Sequence, residues 1–359
     1  MSAPAAVLET FERELTVVPL DGIPGGAARW DEFVTRTEGS TFCHLAAWRE
    51  ILSDVLGAEC LYWVATAPGG DRDRIEGVLP LARVKSRLFG HYLVSLPFLN
   101  YGGPLGSPAA RRLLAQAAVN EALHSHADLL ELRTRDARGL QLPVSSRKIT
   151  VMLDLPPTRD ALWKGFTAKL RNQIRRAQKE GFVTRFGLDE RAAFYEVFAR
   201  NMRDLGTPVL PRTLFDRIAA VLPEQVVFGA VYRGAQAVAA GCGFVWGGEY
   251  EMTWAGARRE TRGVGSNMLL YCSFMEEMIA RGVPAFNFGR CTPDSGTHVF
   301  KRQWGSRDVP LPWCQFARDG HVATPSPQDP AFAWGPRLWR RLPLPIANLL
   351  GPKIVRFLP

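Results

Sequence analysis

The feature that most constrains this chain is an order of segments that occurs twice. Apolar spacing predicts helices at residues 30–36 and 46–56, then strands at 60–66, 75–84 and 92–97. A glycine loop, Asn100-Tyr101-Gly102-Gly103-Pro104, follows and leads into a predicted helix at 109–125 and a strand at 129–133. Farther on, helices at 190–205 and 212–222 precede strands at 226–232, 237–246 and 250–257. A second loop, Arg262-Gly263-Val264-Gly265, opens a helix at 266–281 and a strand at 285–288. Duplication of one α+β unit accounts for the repeated order. Strand and helix do not alternate from the start, which argues against a dinucleotide-binding unit.

The chain's 359 residues suit two such units at roughly 150 residues each, and 47% hydrophobic residues fill two cores. A disordered tail, a collagen-like repeat and a disulfide miniprotein are excluded. The expected units are residues 1–150 and 151–320, followed by a proline-rich basic tail at 321–359. Glu9, Glu12 and Glu14 stand where an export signal needs a basic start and an apolar run, so none is expected. The most apolar stretch, 226–248, is interrupted by Arg233 and Gln236, so no membrane-spanning helix is expected. Cys43, Cys60, Cys242, Cys272, Cys291 and Cys314 occur singly, without zinc or redox spacing, and read as reduced packing residues in a cytoplasmic protein.

With 44 Lys and Arg against 35 Asp and Glu, the net charge of +9 favours phosphate, carboxylate or an anionic membrane surface as partner. Much of it gathers at residues 162–185, where Lys164, Lys169, Arg171, Arg175, Arg176, Lys179 and Arg185 meet one acid, Glu180. On a helix Leu170, Ile174 and Ala177 face inward while Arg171, Arg175 and Arg176 project outward, where they suit phosphate. A solvated helix face is the plain alternative. No aromatic residue interrupts 170–181 and no RNA-recognition signature is present, so charge contact rather than base stacking is expected, and DNA is not an expected partner. In the second loop, Gly263 and Gly265 let backbone amides approach an anion at a helix N-terminus; a tight turn is the plain alternative.

Strands, then a glycine loop opening a helix, then a strand is the arrangement of GNAT-like acyltransferases. Arg262-x-x-Gly265-x-Asn267 resembles their acyl-CoA loop, with Asn267 where Gly or Ala is usual. Four further segments, in order, resemble the FemAB-type peptidyltransferases. They are Ser40-Thr-Phe-Cys-His-Leu-Ala-Ala-Trp48, Leu96-Pro-Phe-Leu-Asn-Tyr-Gly-Gly-Pro104, Lys169-Leu-Arg-Asn-Gln-Ile-Arg-Arg-Ala177, and a late stretch from Phe286-Asn-Phe-Gly-Arg290 to Phe300-Lys301-Arg-Gln-Trp-Gly305. Within that group the chain is most similar to BioF2-like acyltransferases associated with PEP-CTERM, exosortase and exopolysaccharide clusters. The resemblance implies an α+β fold of two tandem GNAT-like domains with mixed, largely antiparallel sheets. It also implies transfer of an acyl or aminoacyl group to an amine of a cell-envelope, glycan-pathway or lipid-linked acceptor, without a covalent enzyme intermediate. The implied donors are aminoacyl-tRNA, acyl-CoA or acyl carrier protein, with no tightly bound cofactor.

Attack of an amine on an ester or thioester builds negative charge on the carbonyl oxygen, which a positioned cation stabilises. By motif match Lys301 takes that role and Phe300 shapes the acyl pocket; pattern alone would read a core aromatic beside a surface lysine. Asp294, then His298, or a relay through water are the candidate proton acceptors, and Arg290 is a candidate either for a phosphate or carboxylate of the acceptor or for an ion pair that fixes the loop. Arg262, Gly263, Gly265, Asn267, Lys169, Arg171, Arg175, Arg176, Asn100 and Tyr101 complete the substrate-binding candidates. No metal is expected, since His124-x-His126 stands isolated. Residues 335–359 mix Arg337, Arg340, Arg341, Lys353 and Arg356 with Trp339 and leucines and hold no acid. They suit either a peripheral contact at the inner membrane or docking on their own domain. The alternative from another class is a non-catalytic phosphate-, RNA- or lipid-binding protein that keeps the fold.

Overall fold

The computed structural model describes residues 15–69, 73–86, 90–320 and 334–358; the stretch with Glu9, Glu12 and Glu14, and Pro325, Pro327 and Pro330, lie outside the described residues. Along the chain come β1 (Thr16–Pro19), α1 (Gly26–Arg36), α2 (Ala47–Leu56), β2 (Glu59–Ala67), β3 (Arg74–Ser86), β4 (Gly90–Val94) and β5 (Leu105–Gly106). Then follow α3 (Pro108–His124), β6 (Leu129–Leu132), β7 (Val144–Ser145), β8 (Ile149–Asp154), α4 (Arg159–Gly165), α5 (Ala168–Lys179) and β9 (Val183–Phe186). Next are α6 (Arg191–Leu205), α7 (Arg212–Val221), β10 (Val226–Arg233), β11 (Gln236–Trp246), β12 (Glu249–Ala257), α8 (Arg259–Arg262), α9 (Ser266–Ala280) and β13 (Ala285–Cys291). The chain ends with α10 (Gly296–Arg302), β14 (Arg307–Pro310), β15 (Trp313–Ala317), α11 (Trp334–Trp339) and α12 (Leu344–Val355).

Two sheets form, in the orders β1-β2-β3-β4-β6-β15-β7 and β14-β8-β13-β12-β11-β10-β9, with β5 beside β3. Each is antiparallel except at one pair, β4 with β6 in the first and β12 with β13 in the second. Parallel neighbours need a crossover, and α3 and α9 supply it. The duplicated order is therefore a duplicated topology.

One departure concerns the boundaries. The strand that pairs with β6 is β15, drawn from far along the chain, whereas β8, which directly follows the first unit, pairs with β13. The chain accordingly divides between Ser146 and Arg147, and the stretch beginning at Leu311 belongs to the first unit rather than to the expected 151–320. Local periodicity carries no record of which distant strand completes a sheet.

The basic segment also divides. Phe166 ends α4, Thr167 caps α5 by accepting the Leu170 N–H at 3.2 Å, and Gly181, with φ 73°, stops the helix so that Arg185 lies on β9. Leu170, Ile174 and Ala177 are the buried face of α5, as the periodicity predicts. They join Phe166, Val231, Tyr250, Met268, Tyr271, Phe274, Phe286, Phe288 and Trp304 in the core of the second unit.

Candidate active site

Asn287 organises the middle of the second sheet. Fully buried on β13, its Oδ1 accepts from the Thr150 hydroxyl of β8 and from the Gly289 N–H at 2.8 Å, and its Nδ2 donates to Glu249 Oε1 of β12 at 2.8 Å. One side chain thus ties three strands. Just beyond it the β13–β8 register shifts between Asn287 and Arg290, and Gly289 takes a φ of 72°. Consecutive carbonyls of a regular strand point to opposite edges; the bulge and the left-handed glycine turn those of Gly289 and Arg290 toward one point. Lys301 Nζ occupies that point, donating to Gly289 O at 2.6 Å and to Arg290 O at 2.9 Å.

Lys301 projects from α10, whose N-terminus Ser295 caps by accepting the His298 N–H at 3.3 Å. The side chain is 4% exposed. Burial lowers its pKa to about 8; Cys291 and Glu251 act against that shift and Arg290 adds to it. An ammonium has three donors and two are taken, leaving one N–H for a further acceptor. The preceding residue, Phe300, packs edge-on against Tyr271 at 5.0 Å, and Tyr271 stacks on Phe288 at 5.7 Å.

The parallel pairing of β12 with β13 runs only from Glu249–Ala285 to Glu251–Asn287. Past Glu251 the register ends, and Thr253 forms a bulge where the β11–β12 register shifts. Glu251 is 2% exposed, accepts from the Thr253 hydroxyl at 3.3 Å and acts on the charge of Lys301. This carboxylate was not among the sequence candidates. Alternation in Glu249-Tyr-Glu-Met-Thr-Trp puts Glu251 with Glu249 and Thr253 on the polar face, so the pattern gave no signal that this acid is buried.

The other candidates fall in different places. His298 Nδ1 accepts the Asp294 N–H at 3.0 Å, so Nε2 carries the proton and meets Asp308 Oδ1 at 3.0 Å; both nitrogens brace the loop. Asp294 itself is exposed, with φ 61°. The Arg262 guanidinium folds back on Ala257 O at 3.3 Å and Asn201 Oδ1 at 2.7 Å. Gly265, with φ 88°, lets α9 begin against α5: a Cβ there would stand 2.6 Å from Gln173 O. The loop and the basic helix are thus brought together, with Gly263 open and Asn267 half-buried. Arg171 Nη1 donates to Phe166 O at 2.5 Å and Arg175 lies 5.3 Å from the Trp163 ring, while Lys169 and Arg176 are exposed.

Asn100 and Tyr101 are buried in the first unit, where Asn100 O accepts from Trp313 Nε1 at 3.2 Å and the Arg135 guanidinium lies 4.4 Å from the Tyr101 ring. There the parting of β4 and β6 is filled by the unit's own chain. Ser95 N–H donates to Glu131 O, Gly103 N–H to Arg133 O, and Arg133 Nη1 to Leu96 O and Leu99 O.

Comparison with known proteins agrees at the level of fold. The family described as acetyltransferase (GNAT) domain matches residues 164–302. The crystal structure of FemX is similar with a TM-score of 0.61 at 13% identity, over 85% of this chain and 97% of that one. The C-terminal domain of a protein from Agrobacterium fabrum, provisionally designated a lysylphosphatidylglycerol synthetase, gives 0.52 at 13% identity over 80% and 91%. A conserved protein of unknown function from Bacteroides thetaiotaomicron gives 0.52 at 11% identity over 85% and 99%. No curated protein matches. The fold is mixed α+β with GNAT-like sheets, and the second unit carries the match to an acyltransferase domain.

Proposed function

We propose that the chain is an N-acyltransferase that passes an acyl or aminoacyl group from an activated ester or thioester directly to an amine. The observation that carries this reading is Lys301: a buried cation, fixed on two carbonyls beside the point where β12 and β13 stop pairing, with one N–H unused among the described residues. The amine nitrogen bonds to the carbonyl carbon, and the oxyanion that forms takes the Lys301 N–H. As the C–O or C–S bond breaks, the proton lost by nitrogen ends on the departing oxygen or sulfur. Glu251, buried next to the lysine, is the carboxylate best placed to carry it. Acyl-CoA, acyl carrier protein and aminoacyl-tRNA all supply such a carbonyl, and the acceptor is an amine of a cell-envelope or exopolysaccharide precursor. Purified protein incubated with labelled acyl-CoA and aminoacyl-tRNA pools should deplete one of them and deliver the label to an acceptor extract, read by mass spectrometry. Depletion of neither pool would reject the reading.

The same reading includes a peripheral membrane contact. No helix among the described residues is long and apolar enough to cross a membrane. α12 buries Ala347, Gly351 and Val355, yet Ile346, Leu349 and Leu350 are 43%, 63% and 37% exposed. These three and Lys353 fall at i, i+3, i+4 and i+7, a stripe that a docked helix ordinarily makes polar. With Leu338 also exposed, Arg337 and Arg341 on the preceding segment and no acid after residue 334, the surface suits an anionic bilayer. Sedimentation with phosphatidylglycerol vesicles should fall at least about fivefold in the double variant Ile346→Glu, Leu349→Glu. Unchanged sedimentation, or a changed oligomeric state instead, would assign the stripe elsewhere.

A further inference from the structure

The strand ends beside Lys301 gather cations that the transfer step does not use. Lys148 directly precedes β8, where Ile149 faces Cys291 and Thr150 faces Arg290. Alternation therefore puts Lys148, Thr150, Arg290 and Thr292 on one face, and Lys148 Nζ donates to Thr292 Oγ1 at 2.7 Å. Arg290, whose backbone carbonyl also holds Lys301, acts by its charge on both Lys148 and Lys301, and Arg147 acts on Lys148. Carboxylates among the described residues also stand near. Glu251 acts on Lys301, and Asp308 is engaged by His298 at 3.0 Å and by Arg302 at 3.7 Å. Burial lowers the pKa of half-buried Lys148, Arg290 and Arg147 add to the shift, and Cys291 opposes it. Adjacent like charges repel, more strongly where water is partly excluded, and an anion relieves that repulsion.

We propose that Lys148 and Arg290 form a binding site for a phosphate ester on one of the two substrates. A guanidinium fork takes two phosphate oxygens in a plane, and the ammonium adds a point charge. The Thr292 hydroxyl, already accepting from Lys148, still has its own hydrogen to donate. In placing that phosphate next to the reacting carbonyl the proposal rests on the transferase reading; the anion site itself does not. The phosphate belongs either to a nucleotide-type donor such as acyl-CoA or to a diphosphate-linked acceptor, and both present the same chemistry.

The test titrates the full chain with inorganic pyrophosphate by calorimetry, at low and high salt. Lys148→Ala and Arg290→Ala should each weaken binding about tenfold or more, Lys148→Arg should restore it to within about threefold, and Arg212→Ala, on an exposed part of α7, should leave it unchanged. Wild-type affinity in both alanine variants overturns the proposal. So does a loss that follows Lys169→Ala and Arg176→Ala instead, which would put the anion on α5. In steady-state transfer, Lys148→Ala should raise the KM of the phosphate-bearing substrate: a rise for acyl-CoA alone assigns the donor, a rise for the acceptor alone assigns the acceptor, and no rise for either rejects the placement. Loss of pyrophosphate binding in a protein that transfers from no donor would keep the site and reject the transferase.

Discussion

Lys301→Ala is expected to lower the kcat of acyl transfer by at least about two orders of magnitude, with donor binding little changed, because one oxyanion donor contributes that much. The charge state gives a second readout. Burial holds the Lys301 pKa at about 8, so a step that needs the cation loses rate as pH rises through that value. Lys301→Arg, which stays charged, should move that limb beyond the accessible range. Stability moves the other way. Between about 8 and the ordinary lysine value of 10.5 the unfolded chain binds the extra proton, so this group makes the folded state more stable as pH rises across the window, by on the order of 3 kcal/mol. That increment should vanish in Lys301→Met, measured as the difference in urea midpoint from wild type at each end of the window. Turnover within tenfold of wild type in Lys301→Ala would remove the cation from the chemistry. Absence of transfer by the wild type, with pyrophosphate or vesicles still bound, would favour the non-catalytic binding protein.

The sequence made the units legible because each element has to bury one side. The periodicity of Leu170, Ile174 and Ala177 is a local consequence of packing, and the structure buries those three residues on α5. Lys301 was a different case. Pattern alone read a surface lysine after an aromatic, and only the Phe-Lys resemblance drew attention to it. What holds its ammonium is the turn of Gly289 on β13, an arrangement that no window around residue 301 contains. Asn287 and Thr150 escaped because each is a single polar residue inside a run that reads as an apolar strand, and Glu251 because it sits in regular alternation with Glu249 and Thr253 and reads as a solvated face. Thr150 and Asn287 act through hydrogen bonds that join β8, β12 and β13, and Glu251 through its charge on Lys301. The exchange of β8 and β15 escaped because strand pairing at long separation leaves the local pattern unchanged. Arg262 shows the converse, a motif position whose backbone context was legible while its guanidinium turned to Asn201.

Gly265→Ala is expected to destabilise the second unit by about 3 kcal/mol. A left-handed backbone costs a residue with a Cβ roughly 1–2 kcal/mol, and the added methyl meets the Gln173 carbonyl oxygen at 2.6 Å, which α5 relieves only by moving. The measurement is the urea midpoint together with the position of α5, reported by hydrogen exchange of the Leu170 to Ala177 amides. Gly263 is the control for the loop's chemistry. Its φ of −63° suits any residue and a Cβ there meets nothing within 4 Å, so Gly263→Ala should fold as well as the wild type. The two variants separate the readings of the loop. If the glycines serve only as a tight turn, Gly263→Ala transfers normally and Gly265→Ala loses activity in proportion to its loss of folded protein. If a donor phosphate approaches the loop backbone, Gly263→Ala raises the donor KM at an unchanged urea midpoint, a combination that the turn alone does not produce.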